Sequence, residues 1–195
     1  MATDLSNLIK KSLYVFVFIG LICFLIKKYV FEIASVTDYL DIVELAVTVT
    51  LAVMVFYGSF LWKFNPLEKT PRIMGKYQGN IKYCYNNIPG VKETEVEIRQ
   101  TLFGVKVKIK TNEITSDTIT GNFVKENDEY VLYYNYITNP KSKYSEKNPI
   151  QRGTARLVST KSTKKHANEW AVELSGIYWT SRKTIGDIYL VKVCE

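Results

Sequence analysis

The chain has 195 residues, 47% of them apolar, with a formal charge of +7 and a mean hydropathy of −0.06. These averages look like an ordinary soluble protein, yet the apolar residues are concentrated in two N-terminal runs, which argues against a wholly soluble chain. The three cysteines, Cys23, Cys84 and Cys194, have no paired spacing; this excludes a disulfide framework and a zinc site and points to a reduced, cytosolic domain with no cofactor.

The first run, Ser12 to Ile26, carries no charge and is bracketed by Lys10-Lys11 and Lys27-Lys28. As a helix it spans roughly 22 Å, and snorkelling lysines with Tyr29-Val30-Phe31 extend it. The second, Leu45 to Trp62, lies between Glu44 and Lys63 and spans roughly 27 Å, close to a bilayer core of about 30 Å. A signal peptide would need a small-residue cleavage site after the first run, but the chain continues Lys-Lys-Tyr-Val-Phe-Glu. A buried soluble hairpin would keep a polar stripe, and these runs have little beyond Thr48, Thr50 and Ser59. The sequence therefore predicts two membrane-spanning helices, at about residues 12–31 and 44–63, within a membrane region 1–64. Lys10, Lys11, Lys63, Lys69 and Arg72 flank the pair on the outside, against Lys27 and Lys28 between them. By the positive-inside rule both termini face the cytoplasm, and the connection is a short extracytoplasmic turn.

Residues 65–72, Asn-Pro-Leu-Glu-Lys-Thr-Pro-Arg, read as a linker, because proline ends the helix and favours extended backbone before it. From 73 to 195 the pattern changes to short runs rich in Tyr, Val, Ile and Thr with turn signals between them. Eight strands are expected: 75–84, 94–101, 105–110, 118–125, 130–138, 152–160, 169–179 and 184–194, with 86–90 as a turn cluster. The third alternates Val105, Val107 and Ile109 with Lys106, Lys108 and Lys110, as a half-buried strand does. Eight strands in meander order predict a small closed antiparallel β-barrel, since closure removes exposed sheet edges; an open sandwich is the alternative. Such a barrel is either filled by side chains or holds one small ligand.

No catalytic constellation accompanies these strands. His166 is the only histidine and sits in the charged stretch Lys164-Lys165-His166-Ala167-Asn168; no nucleophile elbow, P-loop or dinucleotide fingerprint occurs. Glu95 and Glu97 occupy the face opposite Val96 and Ile98, as a solvated row does. An enzyme is not expected. Charge carries more information: residues 73–195 hold 19 Lys and Arg against 13 Asp and Glu, a balance of +6. Surface lysines near an anionic leaflet account for much of it, including Lys161, Lys164 and Lys165. Arginines are scarcer, with Arg99, Arg152, Arg156 and Arg182 the only four after residue 72. Their planar forks suit phosphate, and aromatics beside them would stack a base.

Two N-terminal spans, a proline-containing linker and an eight-stranded domain opening Gly75-Lys76-Tyr77-Gln78-Gly79 resemble one bacterial family, the two-transmembrane, β-strand-rich effectors of CBASS anti-phage defence. Glu97 to Gly104 (Glu-Ile-Arg-Gln-Thr-Leu-Phe-Gly) and Ile119 to Phe123 (Ile-Thr-Gly-Asn-Phe) carry the family texture. The resemblance implies a multi-pass protein of the bacterial inner membrane. It also implies a functional link to a nucleotidyltransferase that makes a cyclic dinucleotide, and neither DNA nor RNA as a partner. The barrel would bind that messenger, copies of the chain would associate, and the clustered helices would disrupt the lipid bilayer and abort the infection. A cyclic dinucleotide has two phosphates and two base faces, so Arg99, Arg152 and Arg156 with Tyr77, Tyr134 and Trp179 are the expected contacts, and Thr101 an expected donor. Strand alternation places Arg152 and Arg156 on one face without saying which. The alternatives are a membrane-tethered, lipocalin-like cup for lipid and a filled barrel that binds only protein.

Overall fold

The computed structural model describes residues 2–31, 36–85, 87–127, 129–161 and 172–193. Two compact units divide the chain, residues 1–65 and 66–195.

The first unit is a helical hairpin. Helix α1 spans Ala2–Ile26, continues through a π-helical turn Lys27–Phe31, and is followed by α2, Val36–Ser59. The helices approach closely where Gly20 faces the Ala46 Cβ, and Phe24 stacks on Tyr39 at 6.4 Å. Lys27 ties the connection down, 3.0 Å from Asp38 and 3.2 Å from Asp41. Thr50 satisfies its hydroxyl by donating to the Ala46 carbonyl one turn back, at 2.6 Å. Among the described residues one helix, Thr37–Ser59, is long and apolar enough to cross a membrane, where the sequence predicted two such spans. That helix begins well before residue 44, because Asp38, Asp41 and Glu44 lie in its first turns, and it ends at Ser59 ahead of a 3-10 turn, Leu61–Phe64.

The second unit is a closed antiparallel barrel of eight strands in meander order, with β1 hydrogen-bonded to β8; the open-sandwich alternative falls. The strands are β1 Gly75–Tyr85, β2 Ile88–Gln100, β3 Val105–Lys110, β4 Ile114–Glu126, β5 Glu129–Pro140, β6 Gln151–Lys161, β7 Val172–Thr180 and β8 Ile185–Lys192. The third matches its predicted limits and alternates buried and exposed along its whole length. The turn cluster at 86–90 is shorter than expected. Pro89 and Gly90 already pair with Cys84 and Tyr83, Asn87 takes the left-handed backbone (φ 62°), and Gly90 leaves room for the Tyr83 ring lying over it. The fourth strand starts earlier than predicted, because Thr111 closes a tight turn: its backbone N–H donates to the Ile114 carbonyl, and its hydroxyl accepts from Glu113 N–H and Ile114 N–H. The loop from Lys164 to Asn168, with His166, and the predicted strand residues Glu169, Trp170 and Cys194 lie outside the described residues.

Why the barrel holds together is clear from its interior. Sixteen buried residues form one apolar cluster, among them Val96, Ile98, Val107, Leu132, Leu157, Leu174 and Leu190 with Tyr77, Tyr134, Tyr136 and Tyr178. These side chains occupy the space that a lipocalin-like cup would leave for lipid, so that alternative loses its structural basis. Buttressing comes from loops. Gln100 accepts from Ile73 N–H and donates to the Pro71 carbonyl, anchoring the entering chain. Glu113 receives Lys92 at 2.5 Å and Asn148 at 2.8 Å, tying the β3–β4 turn to β2 and to the β5–β6 loop.

Leu157 is fully buried, so Leu157→Ala should cost about 2–5 kcal/mol of stability, read as a lowered urea midpoint with an unchanged m-value. The interior phenols give a second expectation. Burial raises the pKa of Tyr178 to about 12 and pushes Tyr77, Tyr134 and Tyr136 up further. Below pH ~10 these groups are neutral in both states; above it the unfolded chain releases protons first, so stability falls as pH rises towards the folded values. Absorbance at 295 nm should show them ionising only as β-sheet circular dichroism is lost. Smooth titration of all 14 tyrosines with the sheet intact would contradict this packing.

Candidate functional site

Because the interior is occupied, the seven expected ligand contacts separate by face. Tyr77 and Tyr134 point inward and are almost completely buried. The Tyr77 hydroxyl donates to the Ile73 carbonyl at 2.7 Å, and the Tyr134 hydroxyl has no partner among the described residues. Both are core. The alternation of β1 and β5 places both of these expected stacking residues behind the wall. Thr101 lies in the β2–β3 turn, where its hydroxyl donates to the Gly104 carbonyl and accepts from Phe103 N–H. Arg99 faces outward on β2, and its Nε donates to Glu97 at 2.8 Å. Neither residue lines the cleft that holds Arg152 and Trp179.

Arg152, Arg156 and Trp179 share the outer wall. On β6 the inward positions are Ala155 and Leu157, so Arg152, Thr154 and Arg156 project outward in a row. Register pairs Thr154 with Trp179 of β7 and with Asn135 of β5. The Thr154 hydroxyl donates to the Asn135 side-chain oxygen at 2.7 Å. Arg152, Thr154, Trp179 and Asn135, but not Arg156, line a cleft of about 370 Å³ with Ile119, Tyr136, Gly153, Thr180 and Ser181.

Each boundary of the cleft has a local cause. At its floor the buried Tyr136 packs directly over Gly153, where a Cβ would collide with the Tyr136 ring and the Trp179 carbonyl. One rim is set by a β-bulge between Thr118 and Thr120 that leaves Ile119 unpaired and 59% exposed. At the bulge the Thr118 hydroxyl stands in for a ladder partner, accepting from Val107 N–H and donating to the Val107 carbonyl. On the other side, Ser181 N–H donates to the Arg152 carbonyl, drawing the β7–β8 turn onto β6.

The charges distinguish the arginines. Arg156 is engaged: its Nη2 donates to Glu126 at 2.7 Å and its Nε to the Tyr133 hydroxyl at 3.1 Å. That hydroxyl donates to Glu126 at 2.6 Å. Arg182 donates to the Lys147 carbonyl and the Tyr85 hydroxyl. Of Arg99, Arg152, Arg156 and Arg182, only the Arg152 guanidinium makes no ion pair or hydrogen bond among the described residues. An exposed arginine without a partner, sharing a cleft with a 40% exposed indole and hydroxyl and amide groups, has the chemistry to take a phosphate and stack a base.

A second cleft, about 480 Å³, lies on β7, β8 and β1 and is lined by Asn80, Lys82, Ile177, Asp187 and Tyr189. It is larger, but Lys82 and Asp187 are cross-strand neighbours, so an anion there meets a carboxylate beside the ammonium. The Arg152 cleft is the better anion site.

The family model described as Cap15, cyclic dinucleotide receptor domain, matches residues 68–192, which contain the barrel strands. The chain belongs to the Cap15 family. CD-NTase-associated protein 15 of Staphylococcus schleiferi is 34% identical to it over 196 residues, covering 99% of this chain and all of that protein. Cap15 is thus the family behind the CBASS-effector texture of the sequence.

Residue-level reasoning missed Ile119, Asn135, Tyr136, Gly153, Thr154, Thr180 and Ser181. Thr154 was accessible from Arg152 by simple alternation. The others depend on cross-strand register, on a bulge and on the missing side chain of Gly153.

The Arg156 cluster yields a pH expectation. The Tyr133 hydrogen bond, then the one from Arg156, holds the Glu126 pKa below the ordinary carboxylate range. Its stabilisation is therefore present above the unfolded pKa of ~4.3 and is lost as pH falls through the folded value. Glu126→Gln should flatten the fall in melting temperature between pH ~5 and ~3; parallel wild-type and variant curves would contradict the cluster.

Proposed function

We propose that this chain is a membrane-anchored receptor for a cyclic dinucleotide made by a partner nucleotidyltransferase, acting as an effector of CBASS anti-phage defence. The observation that carries the reading is the coincidence of two facts: the cyclic-dinucleotide-receptor model covers the barrel, and the barrel's outer wall holds a guanidinium without a partner beside an exposed tryptophan. Arg152 takes a phosphate, Trp179 stacks a base, and Thr154, Asn135 and Ser181 supply polar contacts around them. Arg156, two residues along the row, is held by Glu126 and becomes available to phosphate only by exchange of that ion pair.

The same reading extends to the membrane region. Helix α2 crosses the inner membrane and α1 accompanies it as a second span with lysine-flanked ends, leaving both termini and the barrel in the cytoplasm. A ligand assembles copies only by binding the assembled form better than the monomer, and tethering in a bilayer raises the effective concentration at which that difference acts. Assembly then clusters the helices and disrupts the inner-membrane lipid, which ends the infection with the cell. No catalytic step is assigned; the chain acts as receptor and effector.

Full-length protein in detergent, titrated calorimetrically with a panel of cyclic dinucleotides, should bind one of them saturably. Arg152→Ala should weaken that binding roughly 10–100-fold, the loss of a charge-assisted hydrogen bond, while the melting temperature stays within about a degree, because the side chain is exposed. Unchanged affinity in that variant, or no saturable binding by the wild type, would refute the assignment.

A further inference from the structure

The chemistry of the ligand class and the contents of the cleft do not match one to one. A cyclic dinucleotide presents two phosphates and two bases, related by a true or approximate two-fold axis. The cleft presents one guanidinium without a partner and one exposed indole. Arg99, Arg156 and Arg182 are engaged by Glu97, by Glu126 and by the Lys147 carbonyl. At about 370 Å³ the volume also lies at the low end of pockets that enclose a small ligand, about 300–1,000 Å³. A dinucleotide seated here leaves one phosphate and one base in solvent.

Resting on the receptor reading above, we infer that the cleft is half of a site: two copies of the chain face each other across one messenger, each contributing Arg152 and Trp179 to one nucleotide half. Charge supports a ligand-dependent contact. Residues 73–195 carry a balance of +6, so two barrels repel when brought together, and a dianion held between the two Arg152 side chains offsets that repulsion. The rim supports it too. Ile119 and Ile177 beside Trp179 are exposed apolar side chains on the outer wall, where a second copy with the same patch buries them against itself, as an isologous two-fold interface requires. The messenger is thereby part of the interface, and binding and assembly are one event.

Stoichiometry tests this. Full-length protein in detergent is titrated with cyclic di-AMP, cyclic di-GMP and cyclic UMP–AMP, with the mass of the complex read by native mass spectrometry. The inference expects about half a ligand per chain, a complex with two chains for each ligand, and at least tenfold weaker binding with loss of the paired species in Arg152→Ala/Trp179→Ala. One ligand per chain on an unpaired protein overturns the half-site while leaving the receptor reading intact. Half a ligand per chain retained in the double variant overturns the placement at this cleft. Absence of saturable binding to every probe removes the receptor reading itself, and the half-site with it.

Discussion

The packing of the barrel interior by its own inward side chains is the constraint on which the rest depends. Eight strands enclose little more room than their own inward residues need, and here four tyrosines join the aliphatic side chains in that space. Apolar burial is the dominant favourable contribution to such a fold, so emptying the lumen for a ligand would remove what stabilises it. The recognition site proposed here accordingly lies on the outer wall. There the strand alternation that sends Leu157 and Tyr134 inward sends Arg152, Thr154 and Trp179 outward. Fold and site are two faces of the same pleat.

The outer wall of a barrel is ordinarily a smooth, solvated surface, and two local irregularities make this part of it concave. At Gly153 no side chain intervenes between the strand and the buried Tyr136 ring, which packs directly over it. The bulge at Ile119 lifts an apolar side chain beside it. A neutral wall with this shape would favour nothing in particular. Arg152 gives it a preference for anions, and the ion pairs that engage Arg99 and Arg156 concentrate that preference at one point.

Much of the architecture was legible in the sequence because it rests on periodicity. The strict alternation of Val105 to Lys110 fixed one strand to the residue, and the change at residue 73 from uncharged runs to β-branched and aromatic ones marked the barrel's start. Boundaries failed where side chains set them locally: Thr111 closes a turn that lengthens β4, and the left-handed Asn87 lets Pro89 and Gly90 join the ladder. The membrane region was read from uncharged runs, which locate apolar segments but not helix ends. Asp38 and Asp41, which fall between the predicted spans 12–31 and 44–63, lie in the first turns of α2 and meet Lys27. The site was legible only in part. Composition singled out arginines beside aromatics, and two of the seven chosen residues, Arg152 and Trp179, do line one cleft. Tyr77 and Tyr134 were indistinguishable from them by residue type, because facing in or out is decided by register against neighbouring strands. Which arginine is free is decided by partners distant in sequence, 30 residues for Arg156 and Glu126 and 97 for Arg182 and Tyr85.

The most direct test is the position of the ligand itself: the structure of the full-length chain in lipid nanodiscs with a saturating cyclic dinucleotide. The account predicts ligand density on the outer wall, with a phosphate within hydrogen-bond distance of the Arg152 guanidinium, a base on the Trp179 ring, and Tyr77, Tyr134 and Tyr178 still packed as the core. Ligand density inside the barrel, with those tyrosines displaced, would contradict it.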